Sequence, residues 1–456
     1  MRALLILVLV VLAVVAGAPP AAAQEADALR KELEQLRRRM EELNQRLQRL
    51  ESQPAAPPTP APATTPTAPA PGAPAPGQTT LMDLARPREP FALATRRGGG
   101  QLLFDMGVAG DFVANITQRS VDKADGGTFA GRENRFFPRE VELSLFGQID
   151  PYARGTVIVE TGEEEPGGEM TVALAEAHLT LLTLPYGFQA KLGQVRNRFG
   201  WSNERHAHDL PWVDVPNVYR NFFGEEGLRE RGVEVSWLPE WPFFFEALVG
   251  LFDGDNEVAF GRGKLNEPLV TGRLRTFFEP GLEHGILLGV SAAHGHTPDR
   301  LRSTLAGFDV RYKYTPDGWR HALLTLGAEG IYSIRRAERE AEVFVEGSDE
   351  PLIVLEKRTR RHWGWYAYTE LQPWLRWALG TRFDWSQYPV NAGREWAIEP
   401  YVTFWPSEFL RFRLAYKHTD RSERSPFNDS GGSARLVDEL LFQATFILGA
   451  HPAHPF

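Results

Sequence analysis

From residue 101 onward the chain alternates apolar with polar residues, and the breaks between the alternating runs come in two kinds. In "LAGFDVRYKYT", Phe308, Val310, Tyr312 and Tyr314 alternate with Asp309, Arg311 and Lys313; "FLRFRLAYKHT" and "REVELSLFGQ" behave alike. A period of two predicts extended strands with one apolar and one polar face. Sixteen such runs are predicted, near residues 101–115, 136–149, 151–162, 171–184, 186–196, 230–238, 243–253, 268–278, 283–295, 303–315, 320–335, 361–372, 374–386, 394–405, 408–419 and 436–449. Short Pro-marked breaks such as "IDPY", "LPYG", "TPDGW" and "WPSE" alternate with long ones at 116–135, 197–229, 253–267, 336–360 and 420–435. An even count, with short turns at one end and long loops at the other, is the pattern of an outer-membrane barrel. A sheet in hydrocarbon must close, because an open edge leaves backbone groups unpaired. At sixteen strands the closed wall is wide enough for an aqueous channel. The predicted fold is therefore all-β, a 16-stranded antiparallel transmembrane β-barrel, preceded by a short α-helical coiled coil.

Tryptophan agrees with this reading. Trp237, Trp241, Trp319, Trp374, Trp377 and Trp405 crowd the short-turn ends, where an interfacial girdle is expected. The region before the barrel divides into three. Residues 1–23, with Arg2, the run "ALLILVLVVLAVVAGA" and Ala21-Ala22-Ala23, read as a signal peptide. Residues 24–52 carry Leu29, Leu33, Leu36, Met40, Leu43, Leu47 and Leu50 at alternating spacings of four and three, the seam of a periplasmic coiled coil. Residues 53–100 open on a Pro/Ala-rich stretch that favours an extended spacer, and residues 101–456 form the barrel. The sequence contains no Cys, which excludes disulfides and thiol chemistry, and its net charge of -9 argues against a nucleic-acid partner. Outer-membrane lipid and lipopolysaccharide are the expected surroundings, and ions and small hydrophilic solutes the expected cargo.

In "KLGQVRNRFGW", a strand ends at Gly193-Gln194 and runs into a long loop with Phe199-Gly200 and Glu204-Arg205. The chain returns through "RERGVEVSW", where Arg231-Gly232-Val233 opens the next strand. In these motifs and in the order of coiled coil, linker and barrel, the chain resembles the phosphate-selective porin O and P family of bacterial outer-membrane channels. The resemblance implies that residues 197–229 fold into the barrel and narrow the pore, and that the barrel is a homotrimer. It locates no phosphate-binding lysine here. The ending "HPAHPF" departs from the usual aromatic end of a last strand.

If the apolar alternates face lipid, the polar ones face the lumen. Basic lumen candidates are Arg273, Arg275, Arg311, Lys313, Arg411, Arg413 and Lys417, with Arg154, Lys191, Arg376 and Arg382 also on polar faces; acidic ones include Glu142, Glu160, Glu234, Asp309, Asp384, Glu399 and Glu439. Such cations predict a weak preference for anions, unless they only brace the wall against the acids. The constriction expected from the loop is Arg196, Arg198, Glu204, Arg205, His206, His208 and Asp209. His206 and His208 stand two apart, with Asp209 adding an oxygen, but so few local ligands do not make a closed zinc site, so no metal and no cofactor is expected. Two solvated histidines there predict a conductance that varies near pH 6. A barrel-borne lipid hydrolase would need a nucleophile elbow, and no serine, Ser202 included, has one, so no enzyme is expected. The other alternative is an envelope tether, in which coiled coil and spacer reach toward peptidoglycan.

Overall fold

A computed structural model of the chain describes residues 91–94, 101–163, 168–319, 321–343, 352–389, 392–422 and 435–449. The expected signal peptide, the coiled coil and the "HPAHPF" end lie outside the described residues, as does the linker of residues 53–100 apart from 91–94, which form a short strand and not a spacer. The strands, in chain order, are β1 (Phe91–Ala94), β2 (Gln101–Thr117), β3 (Phe136–Asp150), β4 (Ala153–Glu163), β5 (Met170–Leu181), β6 (Phe188–Arg196), β7 (Arg229–Trp237), β8 (Phe244–Phe252), β9 (Leu269–Gly281), β10 (His284–His296), β11 (Arg302–Tyr314), β12 (Leu323–Val343), β13 (Leu352–Trp374), β14 (Trp377–Gln387), β15 (Arg394–Ser407), β16 (Leu410–Arg421) and β17 (Leu436–Gly449). Among the described residues helices are few: α1 (Arg119–Asp122) and α2 (Asn217–Phe223), with 3-10 turns at Pro185–Gly187 and Ala207–Asp209.

From β2 to β17 every strand pairs antiparallel with the next, and β17 returns to β2 from Glu439↔Thr117 to Gly449↔Gly107. The wall is thus a closed sixteen-stranded barrel, with no open edge to be satisfied by lipid. β1 adds a short pairing to the start of β2.

Burial along the strands is inverted relative to a water-soluble protein. On β11 the exposed alternates are Phe308 and Val310, while Asp309 is buried; on β16 they are Leu414 and Tyr416, while Arg413 and Lys417 are buried. A charged interior inside an apolar shell is stable only where the outside solvent is itself apolar. At the short-turn end Trp241, Trp319, Trp374 and Trp377 stand exposed around the rim, as the sequence predicts of a girdle.

Three departures from strict alternation matter. Residues 336–343 and 352–360, in a stretch read as a loop, instead continue the β12 and β13 strands, whose pairing runs from Leu323↔Gln372 to Val343↔Leu352. Their dense charges broke the apolar period without breaking the backbone ladder. In β3 the register shifts between Asp111↔Glu140 and Phe112↔Pro138, so Arg139 is an extra residue. A bulge of this kind turns two consecutive side chains to one face, and Arg139 and Glu140 both reach inward. β5 carries a similar shift at Ala175, between Ile158↔Glu176 and Val159↔Leu174.

Candidate functional site

The connection between β6 and β7 does not leave the barrel. Residues 197–228 contact inward side chains of β3, β5, β7, β8, β9, β10, β12, β14, β15 and β16, and so lie inside it. Their neck is clamped by Asn203, whose Nδ2 donates to the carbonyls of Asn197 (2.7 Å) and Leu228 (3.0 Å), while its Oδ1 accepts from Leu228 N–H (2.8 Å). Apolar residues fill the middle: Phe199, Trp201, Trp212, Val213, Tyr219, Phe222 and Phe223 are buried together. Trp212 packs edge-on against Tyr366 and Tyr368 of β13, with ring centroids at 5.3 and 4.8 Å. Gly200, at φ +71, sits where a Cβ would meet the Tyr219 hydroxyl at 1.9 Å, so only glycine fits.

Charge on the segment is complementary to charge on the wall. Toward β9, β14 and β16 it presents carboxylates and carbonyls. Arg273 donates to Glu204 (2.5 Å) and to Asp309 (3.0 Å), and Arg275 reaches Glu204 at 3.5 Å. Arg382 holds Asp214 Oδ1 (2.7 Å), Asp214 O (2.9 Å), Asp384 (2.7 Å) and Glu399 (2.9 Å), and Lys417 donates to Asp214 Oδ2 at 2.5 Å. Arg413 donates to Trp212 O (2.9 Å) and Gln443 (2.6 Å), and Arg411 to His208 O. Burial works against the Asp214 and Glu204 carboxylates, but the Arg and Lys charges around them outweigh it and hold both below the ordinary range.

Toward β3, β5, β7 and β8 the segment presents cations. Arg198 donates to Glu234 and Glu246, each at 2.7 Å. His206 Nε2 lies 3.1 Å from Glu176, and its Nδ1 lies 2.9 Å from Glu142 and 3.5 Å from Glu140. His208 Nδ1 lies 3.6 Å from Glu140, and its Nε2 3.5 Å from Asp209. Burial, and next the Arg196 charge, depress His206, but its three carboxylate partners outweigh both and hold it well above the ordinary histidine value; His208, also depressed by burial, is raised by Asp209 and Glu140. Arg196 instead turns along the segment, donating to Arg205 O at 3.3 Å.

Of the basic lumen candidates, Arg273, Arg413 and Lys417 are buried against the segment, and Arg275, Arg311, Lys313 and Arg411 are partly buried. Arg382, which was not among the principal basic candidates, reaches Asp214, Asp384 and Glu399, and Arg273 likewise serves four acceptors. Arg205 and Arg311 both lie over the Trp201 ring, at 3.9 and 4.3 Å. Burial above all, then the charge of Arg311, lowers the Arg205 guanidinium to about 10, with Glu204 opposing. Sequence reasoning missed Asp214, Tyr219, Glu329 and Glu140. Glu329 accepts from Trp201 N–H (2.8 Å), Ser202 N–H (2.9 Å) and the Tyr219 hydroxyl (2.6 Å), and its polar position on β12 was the available signal. Glu140 had none, because the bulge at Arg139 puts it out of phase.

No family model matches the chain. Among solved structures it is similar to the outer-membrane channel DcaP of Acinetobacter baumannii, with 13% identity, 78% of this chain and 100% of that one covered, and a TM-score of 0.49. It is also similar to an anion-selective porin from Comamonas acidovorans, with 9% identity, 76% and 98% covered, and a TM-score of 0.46. Likenesses at that level carry no assignment. An uncharacterized protein of Aquifex aeolicus (strain VF5) is 30% identical over 352 residues, with 69% of each chain covered, and the chain described here belongs to the same protein family.

Proposed function

We propose that the chain is an outer-membrane porin for small hydrophilic solutes, with residues 197–228 as its internal constriction and a weak preference for anions. The observation that carries this reading is the inverted barrel with a charged segment folded through it. An apolar outside suits a bilayer, and a wall lined by charge suits water and ions. Beside the segment, at the long-loop end, a cavity of about 350 Å3 is lined by Arg139, Glu160, Arg196 and Glu226. A separate space between Arg196, Ser202, Asn203 and Arg205 holds about 20 Å3. That is room for about one water molecule, so a low conductance is expected of this arrangement. Anion preference rests on Arg205 and Arg311 over Trp201, with Lys313 two residues along the same face of β11. Inorganic phosphate, suggested by the resemblance of the motifs around Gly193 and Arg231, is the anion to test first. A homotrimer and a periplasmic coiled coil in contact with peptidoglycan belong to the same reading, supported by that resemblance and by the leucine seam of residues 24–52.

Planar-bilayer recording of the purified protein in a salt gradient tests it. Small discrete steps with a reversal potential of anion sign are expected. A protein that inserts and gives no steps overturns the porin reading, and a reversal potential of cation sign overturns the role given to Arg205, Arg311 and Lys313.

A further inference from the structure

The contacts of His206 and His208 with the wall are unlike the Arg and Lys ion pairs that hold the rest of the internal segment. Glu204, Asp214, Glu234 and Glu246 each face Arg or Lys. Glu140, Glu142 and Glu176 are ion-paired, among the described residues, only with histidines. His206 is oriented from behind: its Nε2 lies 3.1 Å from Glu176 Oε1, and Glu176 Oε2 is in turn 3.5 Å from His178 Nε2. An ionised carboxylate only accepts, so the Nε2 proton points at Glu176 and the other nitrogen, Nδ1, is directed at Glu140 and Glu142. There it stands 2.9 Å from Glu142 Oε2 and 3.5 Å from Glu140 Oε1, yet none of these three atoms makes a hydrogen bond. The other Glu142 oxygen is already taken by the Ser144 hydroxyl at 2.5 Å. His206 and Glu142 are almost wholly buried, with 5% and 2% of their side chains exposed. Without a bound ion the protonated imidazole supplies the positive charge here, but its Nδ1 is out of line for giving a proton to either carboxylate. A metal ion taking the place of that proton would be held by all three atoms at once. A carboxylate behind an imidazole is also how metal-ligating histidines are held.

We propose that Glu140, Glu142 and His206, with His208 beside Glu140, form a binding site for a divalent first-row metal ion of the zinc type. Mixed imidazole and carboxylate ligands suit zinc and its late first-row neighbours better than magnesium or calcium, which take oxygen alone. Ligands about 2.1 Å from a tetrahedral ion stand about 3.4 Å apart, and the separations here bracket that value. The ligand atoms of Glu140, Glu142 and His208 lie within 4.8 Å of one another, as do those of Glu140, Glu160 and His206. Glu140 and Glu160 also line the cavity that opens at the long-loop end, which gives an ion its route in. The four ligands come from two places, the Glu140–Glu142 bulge of β3 and the turn around Ala207–Asp209, so a bound ion ties the internal segment to the wall.

The test is Zn2+ titration of the untagged full chain in detergent after chelator treatment, with bound metal counted by mass spectrometry. About one Zn2+ per chain is expected. E142Q and H206Q, each checked for an intact barrel by far-UV strand signal, should weaken binding by more than the roughly 10–100-fold that losing a partner behind a ligand costs, and E176Q by about that amount. H294A/H296A, removing the histidine pair at the end of β10, should leave binding unchanged. Absence of stoichiometric binding overturns the proposal. So does binding that survives both E142Q and H206Q.

Discussion

The two halves of the wall hold the same internal segment by different chemistry. On the β9–β16 side, wall cations of β9, β14 and β16 grip loop carboxylates and loop carbonyls, each guanidinium serving several acceptors at once, while Glu329 and Glu395 accept from the segment's backbone and from Arg220. On the β3–β8 side, wall carboxylates grip loop cations, and in one place the cation is a pair of histidines. Arginine keeps its charge under all ordinary conditions, whereas an imidazole is a ligand as well as a base. The difference teaches that the segment has a fixed side and a side whose hold depends on what sits between His206 and its carboxylates.

The fixed side should be the costlier one to break. Arg382→Met leaves Asp214, Asp384 and Glu399 buried together, with Lys417 paired to Asp214 and Arg220 as the other cation facing it. Removing one partner of a buried ionic network costs about 3–5 kcal/mol, to be read as a lowered denaturant midpoint in detergent. Conductance should rise at the same time, because the segment loses its central hold. Arg198→Gln is the matched break on the other side. It strands Glu234 alone, since Glu246 keeps Arg275, and should cost about 1–3 kcal/mol. If the Arg198 variant proves the more damaged of the two, the assignment of a fixed and a conditional side is reversed.

These networks mark where sequence reading stops. The strands and the girdle were legible because period two and Pro-marked turns are local signals, and fourteen-residue β17 or thirteen-residue β10 needs no tertiary knowledge to be found. The polar faces were legible too, but not what they face. Arg273, Arg413 and Lys417 were placed on the lumen as a possible path for anions. The structure turns them on Glu204, Trp212 O and Asp214, which are 69, 201 and 203 residues away in the chain. No pattern along a strand reports a partner at such separation. The same holds for α2, whose buried Val218, Tyr219, Phe222 and Phe223 follow a helical spacing inside a stretch read only as loop. It holds for Glu140 as well, which a single extra residue in β3 moved to the inner face. The histidines were noticed at once for their spacing, and the carboxylates that complete their surroundings lie on β3 and β5, more than 25 residues upstream. Neither imidazole has the solvated surroundings that its spacing in the sequence suggested: burial lowers both, and the carboxylates around them raise both above the ordinary histidine value.

Smaller effects sharpen the comparison. R311Q combined with K313Q removes two cations from the patch beside Trp201 while leaving the ion pair of Arg382 with Asp214 intact. The reversal potential should move toward cations by several millivolts, with the denaturant midpoint nearly unchanged, since partly exposed charges contribute about 0–1 kcal/mol. An unchanged reversal potential would locate ion selection elsewhere.

The smallest effect is expected from acid on the fixed side. Asp214 is faced by Arg382 and Asp384 from β14, Glu399 from β15, Lys417 from β16 and Arg220 from α2. Burial raises its carboxyl and the Arg382 and Lys417 charges lower it by more, so its folded value lies below the unfolded one of about 3.9. The stability it contributes is therefore fully present above about pH 4 and is lost only as pH falls through that lower folded value. Between pH 7 and pH 4 the hold of Arg382 and Lys417 on the segment should not weaken. The measurement is the difference in denaturant midpoint between the natural protein and Arg382→Met at the two pH values. A constant difference keeps the β9–β16 side as the fixed one, and a difference that shrinks by pH 4 shows that Asp214 has taken up a proton and that this side, too, can be let go.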